Sequence, residues 1–179
     1  MVDFLASEGI RGAEVLEIGG GVGEIEIELL KRGAERAVNL ELSPAYEEEG
    51  KRLAREQGVD DRIEYRLHDL AAEPKAVEPA DVVVLHRVVC CYPDYRRLLG
   101  AASDVARRYV VFSYPPRNVL SRLFIGAQNV AFRLFRREFR TFAHPPSEMV
   151  AVVEDRGFRR TFAHAAPVWQ IVALERNAV

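Results

Sequence analysis

The chain has 179 residues, 49% hydrophobic and 29% charged, with a formal net charge of −2. That length suits a single domain, 1–179, with a sizeable core, and the near-neutral charge gives no global footprint for nucleic acid, so none is expected as a partner. Cys90 and Cys91 are adjacent, which fits neither a disulfide framework nor zinc spacing, so no metal is expected and the pair reads as buried thiols in a reducing cytosol. No run of 18 apolar residues could span a bilayer and no signal peptide is visible, so a cytoplasmic location is expected.

In chain order, Val2, Phe4, Leu5 and Ala6 predict one or two helical turns closed by Gly9. Val15, Leu16 and Ile18 then form a short apolar run that ends in Gly19, Gly20, Gly21 and Gly23. After the glycines, Ile25, Leu29 and Leu30 recur at helical spacing while Glu24, Glu26 and Glu28 point elsewhere. The pattern reads as strand, tight glycine turn and helix. Glycine lets the turn adopt backbone angles closed to other residues and lets a ligand approach the backbone. The helix start aims free N–H groups and a positive dipole end at the loop. A dinucleotide fingerprint begun at Gly19 or Gly21 would need glycine where Glu24 or Glu26 stands, and no Gly-Lys-Ser/Thr closes a phosphate loop.

What fits is Glu17-x-Gly19-x-Gly21-x-Gly23. This arrangement resembles the first motif of the class I S-adenosylmethionine-dependent methyltransferases. The resemblance implies that Gly19, Gly20, Gly21 and Gly23 pass under the amino-acid part of the cofactor, with Glu17 near its ammonium and sulfonium end. The physics is compatible, because S-adenosylmethionine carries no phosphate and its positive groups favour a nearby carboxylate. Glu24, Glu26 and Glu28 suit the helix dipole but would repel a pyrophosphate. The alternative is a glycine turn that only packs a helix on a sheet. Many relatives of this kind carry an N-terminal helical lid, expected here to be short or outside this sequence.

The second strand is predicted over 37–42, with Glu41 24 residues beyond Glu17 (41 − 17). That is near the roughly 20-residue offset at which an acid meets ribose hydroxyls in doubly wound folds. A carboxylate can accept from both hydroxyls, and the resemblance implies that role for Glu41, with Leu42 beside it; the alternative is a solvated strand-end acid. Ser43-Pro44 predicts the start of a helix over about 44–57 ended by Gly58, with Glu47, Glu48 and Glu49 on a solvated face. The third strand is predicted over 62–67. The resemblance then implies that Asp69 accepts from the adenine amino group and that the Leu70 N–H bonds a ring nitrogen; otherwise Asp69 caps the next turn.

Asp81 to His86 is a nearly continuous apolar run, as a central parallel strand should be. Ligands of open α/β sheets bind beyond the carboxyl ends of strands, which places His86, Arg87 and Tyr92 where methyl donor meets acceptor. His86 is the candidate general base, since imidazole titrates near neutrality, and a candidate cofactor contact; its other reading is a pocket floor. A helix over about 94–106 with Leu98, Leu99, Ala102 and Val105 on one side precedes a fifth strand, 109–114, ended by Pro115-Pro116. Tyr114 at that strand's end joins Arg87 and Tyr92 as a candidate substrate contact.

Residues 117–140 set the chain apart. Val119, Leu120, Leu123, Phe124, Ala127, Val130, Ala131, Leu134 and Phe135 recur every three or four residues, among six arginines (117, 122, 133, 136, 137, 140) and one acid, Glu138. This predicts a basic amphipathic helix inserted where such folds commonly carry specificity elements. It could cover the sheet as ordinary core, roof a pocket for a large apolar or anionic acceptor, or dock on a membrane surface. Ser147 could cap a helix over 148–154, and 158–164 and 168–174 read as closing strands. Trp169 reads as core, while His144 and His164 read as structural or acceptor-side.

The expected fold is α/β: a doubly wound, mostly parallel seven-stranded sheet with a C-terminal antiparallel hairpin. The expected activity is methyl transfer from S-adenosylmethionine to oxygen or nitrogen of a small, apolar molecule, leaving S-adenosylhomocysteine. The arginines among Phe and Leu suggest an acceptor carrying a carboxylate or phenol, a loose resemblance to the methyltransferases of tetrapyrrole and quinone synthesis without a motif that fixes it. Rival readings are a non-catalytic module that binds through 117–140, and a nicotinamide-dependent reductase, disfavoured by Glu24 and Glu26.

Overall fold

The apolar runs become seven strands of one sheet. They are β1 Glu14–Ile18, β2 Arg36–Glu41, β3 Ile63–Leu67, β4 Ala80–Leu85, β5 Ala106–Tyr114, β6 Phe158–Ala165 and β7 Gln170–Arg176. Among the described residues six α-helices accompany them: α1 Val2–Ser7, ahead of β1, and α2 Glu24–Lys31, α3 Glu47–Glu56, α4 Tyr95–Val105, α5 Val119–Leu134 and α6 Pro146–Glu154. The computed structural model describes residues 1–136 and 139–178, with the side chains of Leu120, Arg122 and Phe124 left aside.

The strands lie in the order β3-β2-β1-β4-β5-β7-β6. β1 to β5 run parallel, and β7 is antiparallel to both β5 and β6. This is the expected mostly parallel sheet with a closing antiparallel hairpin. The order reverses between β1 and β4, so the carboxyl ends of those two strands flank the crevice where such sheets take ligands.

Side-chain alternation along the central strands divides the core into two layers. Val83 and Leu85 of β4 and Val110 and Phe112 of β5 face Leu98, Leu99 and Ala102 of α4 and Met149 and Val153 of α6. Val82, Val84, Tyr109 and Val111 face the other way, toward Leu5 of α1, Ile27 and Leu30 of α2 and Ala54 of α3. Each fully buried aliphatic side chain contributes on the order of 1.5–3 kcal/mol, and truncating Leu98 or Leu30 to Ala would cost about 2–5 kcal/mol. α4 starts where the Asp94 carboxylate accepts from the Arg97 N–H at 3.0 Å, a side-chain cap on an otherwise orphaned donor.

Several expectations are corrected. The helix expected over 44–57 is divided: Ser43 Oγ accepts from Ala45 N–H at 3.3 Å, starting a 3₁₀ turn, Pro44–Tyr46, before α3. β7 begins at Gln170, two residues late, because Ala166 N–H donates to the Trp169 carbonyl at 3.2 Å and makes 166–169 a turn. Trp169 is therefore half-exposed and not core. Cys90 is buried as expected, but Cys91 is only partly so, and both are free thiols.

The insert also differs. α5 starts at an Asn118 cap, whose Oδ1 accepts from Ser121 N–H at 2.7 Å, and stops just before Arg136, which adopts a left-handed φ of 53°. The return segment is tied back by Asn129, which donates to the Thr141 carbonyl at 2.7 Å and accepts from its N–H at 3.0 Å. Phe142 N–H then reaches the Cys90 carbonyl at 2.7 Å. Among the described residues of α5 only Ile125 is buried, while Val119, Leu123, Val130 and Leu134 are exposed, so α5 is not ordinary core cover. Arg137 and Glu138, part of the expected insert, lie outside the described residues. No helix among the described residues is long and apolar enough to cross a membrane.

Candidate functional site

At the carboxyl end of β1 the chain turns through three glycines with left-handed φ: 64° at Gly19, 58° at Gly21 and 83° at Gly23. Such angles are strained for any residue with a Cβ. Gly20 is required by proximity instead, since a Cβ there would lie 2.6 Å from Asn39 Nδ2. A Cβ on Gly23 would strike Glu26 Oε1, whereas one on Gly21 would meet nothing. Gly21 is thus the position at which the loop faces open space.

Glu41, at the end of β2, lies against that position. Its Oε2 accepts from Gly21 N–H at 3.0 Å, while Oε1 accepts from the N–H groups of Leu42 at 2.8 Å and Ser43 at 3.2 Å. A shallow hollow opens between them, lined by Gly21, Asn39, Glu41, Pro44, Tyr46 and Leu67. Its rim is apolar and open to water: Leu67 is 65% exposed and Leu42, beside Glu41, 58% exposed. Arg66 also lines it, but its guanidinium is held by Glu64 at 2.6 and 2.8 Å. Two roomier hollows lie at the opposite, amino-terminal edge of the sheet or beside α1, lined for example by Glu14 and Ala80 or by Leu5 and Arg108. Neither reaches the glycine loop.

Glu17 is turned inward, beneath the loop. It is fully buried, and its Oε2 accepts from the Glu26 N–H of α2 at 2.9 Å. Glu26, expected to point elsewhere, is buried too, and its Oε1 accepts from Asn39 Nδ2 at 3.0 Å. Glu26 Oε2 and Asn39 Oδ1 have no hydrogen-bond partner among the described residues. Burial first, and then the neighbouring Glu26, raises the Glu17 carboxyl well above the usual range. Burial pushes Glu26 up to about 7, against the lowering effect of Asn39. Nothing in the sequence marks this pair, because Glu26 stands between Glu24 and Glu28, which are exposed or half-exposed; the inward turn of α2 just after Gly23 is what encloses it.

The second half of the site follows β4. Arg87 adopts a φ of 61°, rare for a non-glycine residue and costing of order 1–3 kcal/mol. Its N–H donates to Ser113 Oγ at 2.8 Å. The same oxygen lies 3.1 Å from His86 Nδ1, so buried Ser113 of β5 holds two adjacent residues at once. The Arg87 guanidinium sits 5.3 Å from the centre of the Trp169 ring and has no carboxylate partner among the described residues. Trp169 lies 6.5 Å from the His86 ring, so the turn before β7 joins the site. Neither Ser113 nor Trp169 was expected there. Burial and the Arg87 charge lower the His86 pKa, which keeps the ring neutral at pH 7. In the tautomer whose Nδ1–H donates to Ser113 Oγ, Nε2 is the nitrogen left to take a proton.

Asp69 is engaged on both oxygens. Oδ1 accepts from Ala71 N–H at 3.0 Å, and Tyr92 OH donates to the carboxylate at 3.0 and 3.2 Å. The residue thus caps the turn after β3 and ties it to Tyr92, while the Leu70 side chain is buried. Tyr114 is half-buried at the end of β5, its ring 5.8 Å from Phe112. His144 bonds the Tyr92 carbonyl at 3.0 Å and packs between Tyr95 and Phe142, a structural position, and His164 lies exposed on edge strand β6. Among the described residues no three His, Cys, Asp or Glu side chains gather as a metal set.

Residues 1–161 match the family described as a methyltransferase domain. No curated protein matches the sequence. Among solved structures, magnesium protoporphyrin IX methyltransferase from Synechocystis PCC 6803 with bound SAH is similar with a TM-score of 0.80 at 20% identity, over 98% of this chain and 80% of that one. An O-methyltransferase family protein from Burkholderia thailandensis has a TM-score of 0.77 at 20% identity, over 99% of this chain and 55% of that one. Geranyl diphosphate C-methyltransferase from Streptomyces coelicolor A3(2), in complex with Mg2+, geranyl diphosphate and S-adenosyl-L-homocysteine, has a TM-score of 0.74 at 16% identity, over 98% and 77%. At such identities the likeness is one of fold.

Proposed function

The chain belongs to the methyltransferase-domain family, and from that premise we propose that it uses S-adenosylmethionine to methylate oxygen or nitrogen of a small, apolar acceptor that carries an acidic or phenolic group. The observation that carries this reading is the meeting of Glu41 and Gly21 at an open hollow with an apolar rim. A carboxylate, a backbone free of Cβ atoms and exposed Tyr46 and Leu67, with the nearby arginine already paired, suit a cationic, phosphate-free nucleoside. Gly19, Gly20, Gly21, Gly23, Glu41, Leu42 and the turn at Asp69-Leu70 would hold it. Glu17 would act from below, fixing the start of α2 and so the loop.

When bound, the cofactor supplies a methyl group activated by a sulfonium centre. What the chain adds is chiefly positioning, an effect that can reach about 7–11 kcal/mol. Arg87, strained and without an acid, offers its guanidinium to an anionic group on the acceptor, and Trp169 gives a flat apolar surface beside it. His86, neutral and anchored by Ser113, can take a proton from a hydroxyl or amine. A carboxylate acceptor would need no base.

Calorimetric titration with S-adenosylhomocysteine tests the cofactor reading. Saturable binding is expected, weakened at least about tenfold by Glu41→Ala, with far-ultraviolet circular dichroism checking that the variant stays folded. Unchanged affinity in a folded Glu41→Ala variant, or NADH binding in place of S-adenosylhomocysteine, would overturn it. Acceptor class is tested separately, by labelled methyl transfer to a panel of planar aromatic carboxylates and phenols.

A further inference from the structure

Among its described side chains, α5 is covered on one side only. Ile125 is buried, and Gln128, Asn129 and Phe132 on the same side are partly covered. On the opposite side Val119, Leu123, Val130 and Leu134 are 59–77% exposed. At about 100° per residue, those four side chains fall within roughly 60° of one another, and exposed Gly126 and Ala127 continue the stripe. Phe135, 78% exposed, carries it past the helix end. An unbroken apolar face of this kind marks an interaction site.

Charge identifies the partner. Residues 117–140 hold six arginines and one acid, an excess of five positive charges in a chain whose net charge is −2, so the remainder carries −7. Arg117, Arg133 and Arg136 are exposed at the margins of the stripe. A second copy docked by two-fold symmetry would set the same basic margins against each other. We propose that the exposed face of α5, with Phe135, docks the protein on an anionic phospholipid surface, the apolar side chains entering the interface and the arginines meeting headgroup phosphates. The proposal is independent of which acceptor the enzyme methylates.

The test is co-sedimentation of the full chain with vesicles of phosphatidylcholine alone and of phosphatidylcholine mixed with phosphatidylglycerol. Binding at least about tenfold stronger to the anionic vesicles is expected, and high salt should reduce it. The pair Arg133→Glu/Arg136→Glu and the pair Leu134→Ser/Phe135→Ser should each reduce it about tenfold or more. These side chains are exposed, so the folds should survive, and an unchanged melting temperature verifies this. Absent or composition-independent binding, or binding indifferent to both pairs, would overturn the proposal. A dimer seen by light scattering and broken by Leu134→Ser/Phe135→Ser would also overturn it, by assigning the face to a second copy.

Discussion

Replacing Glu26 by Gln should make the protein more stable at neutral and alkaline pH. The Glu26 carboxyl is buried beside Glu17, and burial raises its pKa from 4.5 to about 7. Its folded pKa lies above its unfolded one, so the stabilisation it gives is complete below pH about 4.5 and is lost as pH rises through about 7. Raising the value from 4.5 to about 7 corresponds to roughly 3 kcal/mol. Between pH 5 and pH 8 the native protein should therefore lose on the order of 2–3 kcal/mol that Glu26→Gln retains. The amide keeps an oxygen to accept from Asn39 Nδ2 and adds a donor where Glu26 Oε2 has no partner. His86 and His144, whose pKa values burial lowers, act in the opposite sense, losing stability on acidification. They are the same in both proteins, so the difference between the two reports the Glu17–Glu26 pair, Glu17 also being relieved of its neighbour's charge. Urea unfolding at the two pH values reads it directly, and a melting difference of about 5–10 °C should accompany it for a chain of this size. If the gap between the proteins is the same at pH 5 and pH 8, the carboxyl does not carry a raised pKa and the account of the buried pair fails.

Other outcomes follow from the same geometry. Asp94→Ala removes the α4 cap and should cost about 1 kcal/mol in denaturant unfolding with no change in cofactor affinity. Ser113→Ala removes the partner of the part-buried Arg87 N–H, a loss of about 0.5–1.5 kcal/mol, and should lower turnover by releasing both Arg87 and His86. His86→Gln should reduce turnover of a hydroxyl acceptor about 10²–10⁴-fold while S-adenosylhomocysteine affinity stays unchanged. In the native enzyme the acid limb of that turnover should fall below the usual histidine value, because the pKa is lowered. Gly20→Ala should weaken cofactor binding and stability together, since its Cβ would press on Asn39.

Much of the scaffold could be read from pattern alone. The period-two and continuous apolar runs located all seven strands, and the Glu17-to-Gly23 spacing located the loop before any contact was known. Boundaries failed where a local hydrogen bond intervened, as at Ser43 and in the 166–169 turn. The site was half legible. Glu41 could be found because strand ends and offsets are sequence properties. Ser113 and Trp169 could not, because their roles arise from β5 lying beside β4 and from a turn that brings distant residues to His86. Glu26 was hidden for a related reason: helical periodicity assigns a face, but only packing decides which face is enclosed.

The place of β7 has a consequence for how the protein is made. β7 follows β6 in the chain yet lies between β5 and β6. During translation β6 therefore emerges with no neighbour to pair with, and β6 must wait, with an uncovered edge on β5, until β7 arrives to fill the gap. Such long-range pairing is slow, and the waiting intermediate is open to pairing with other nascent chains. Synthesis that stalls between the two strands should leave a species recognised by chaperones.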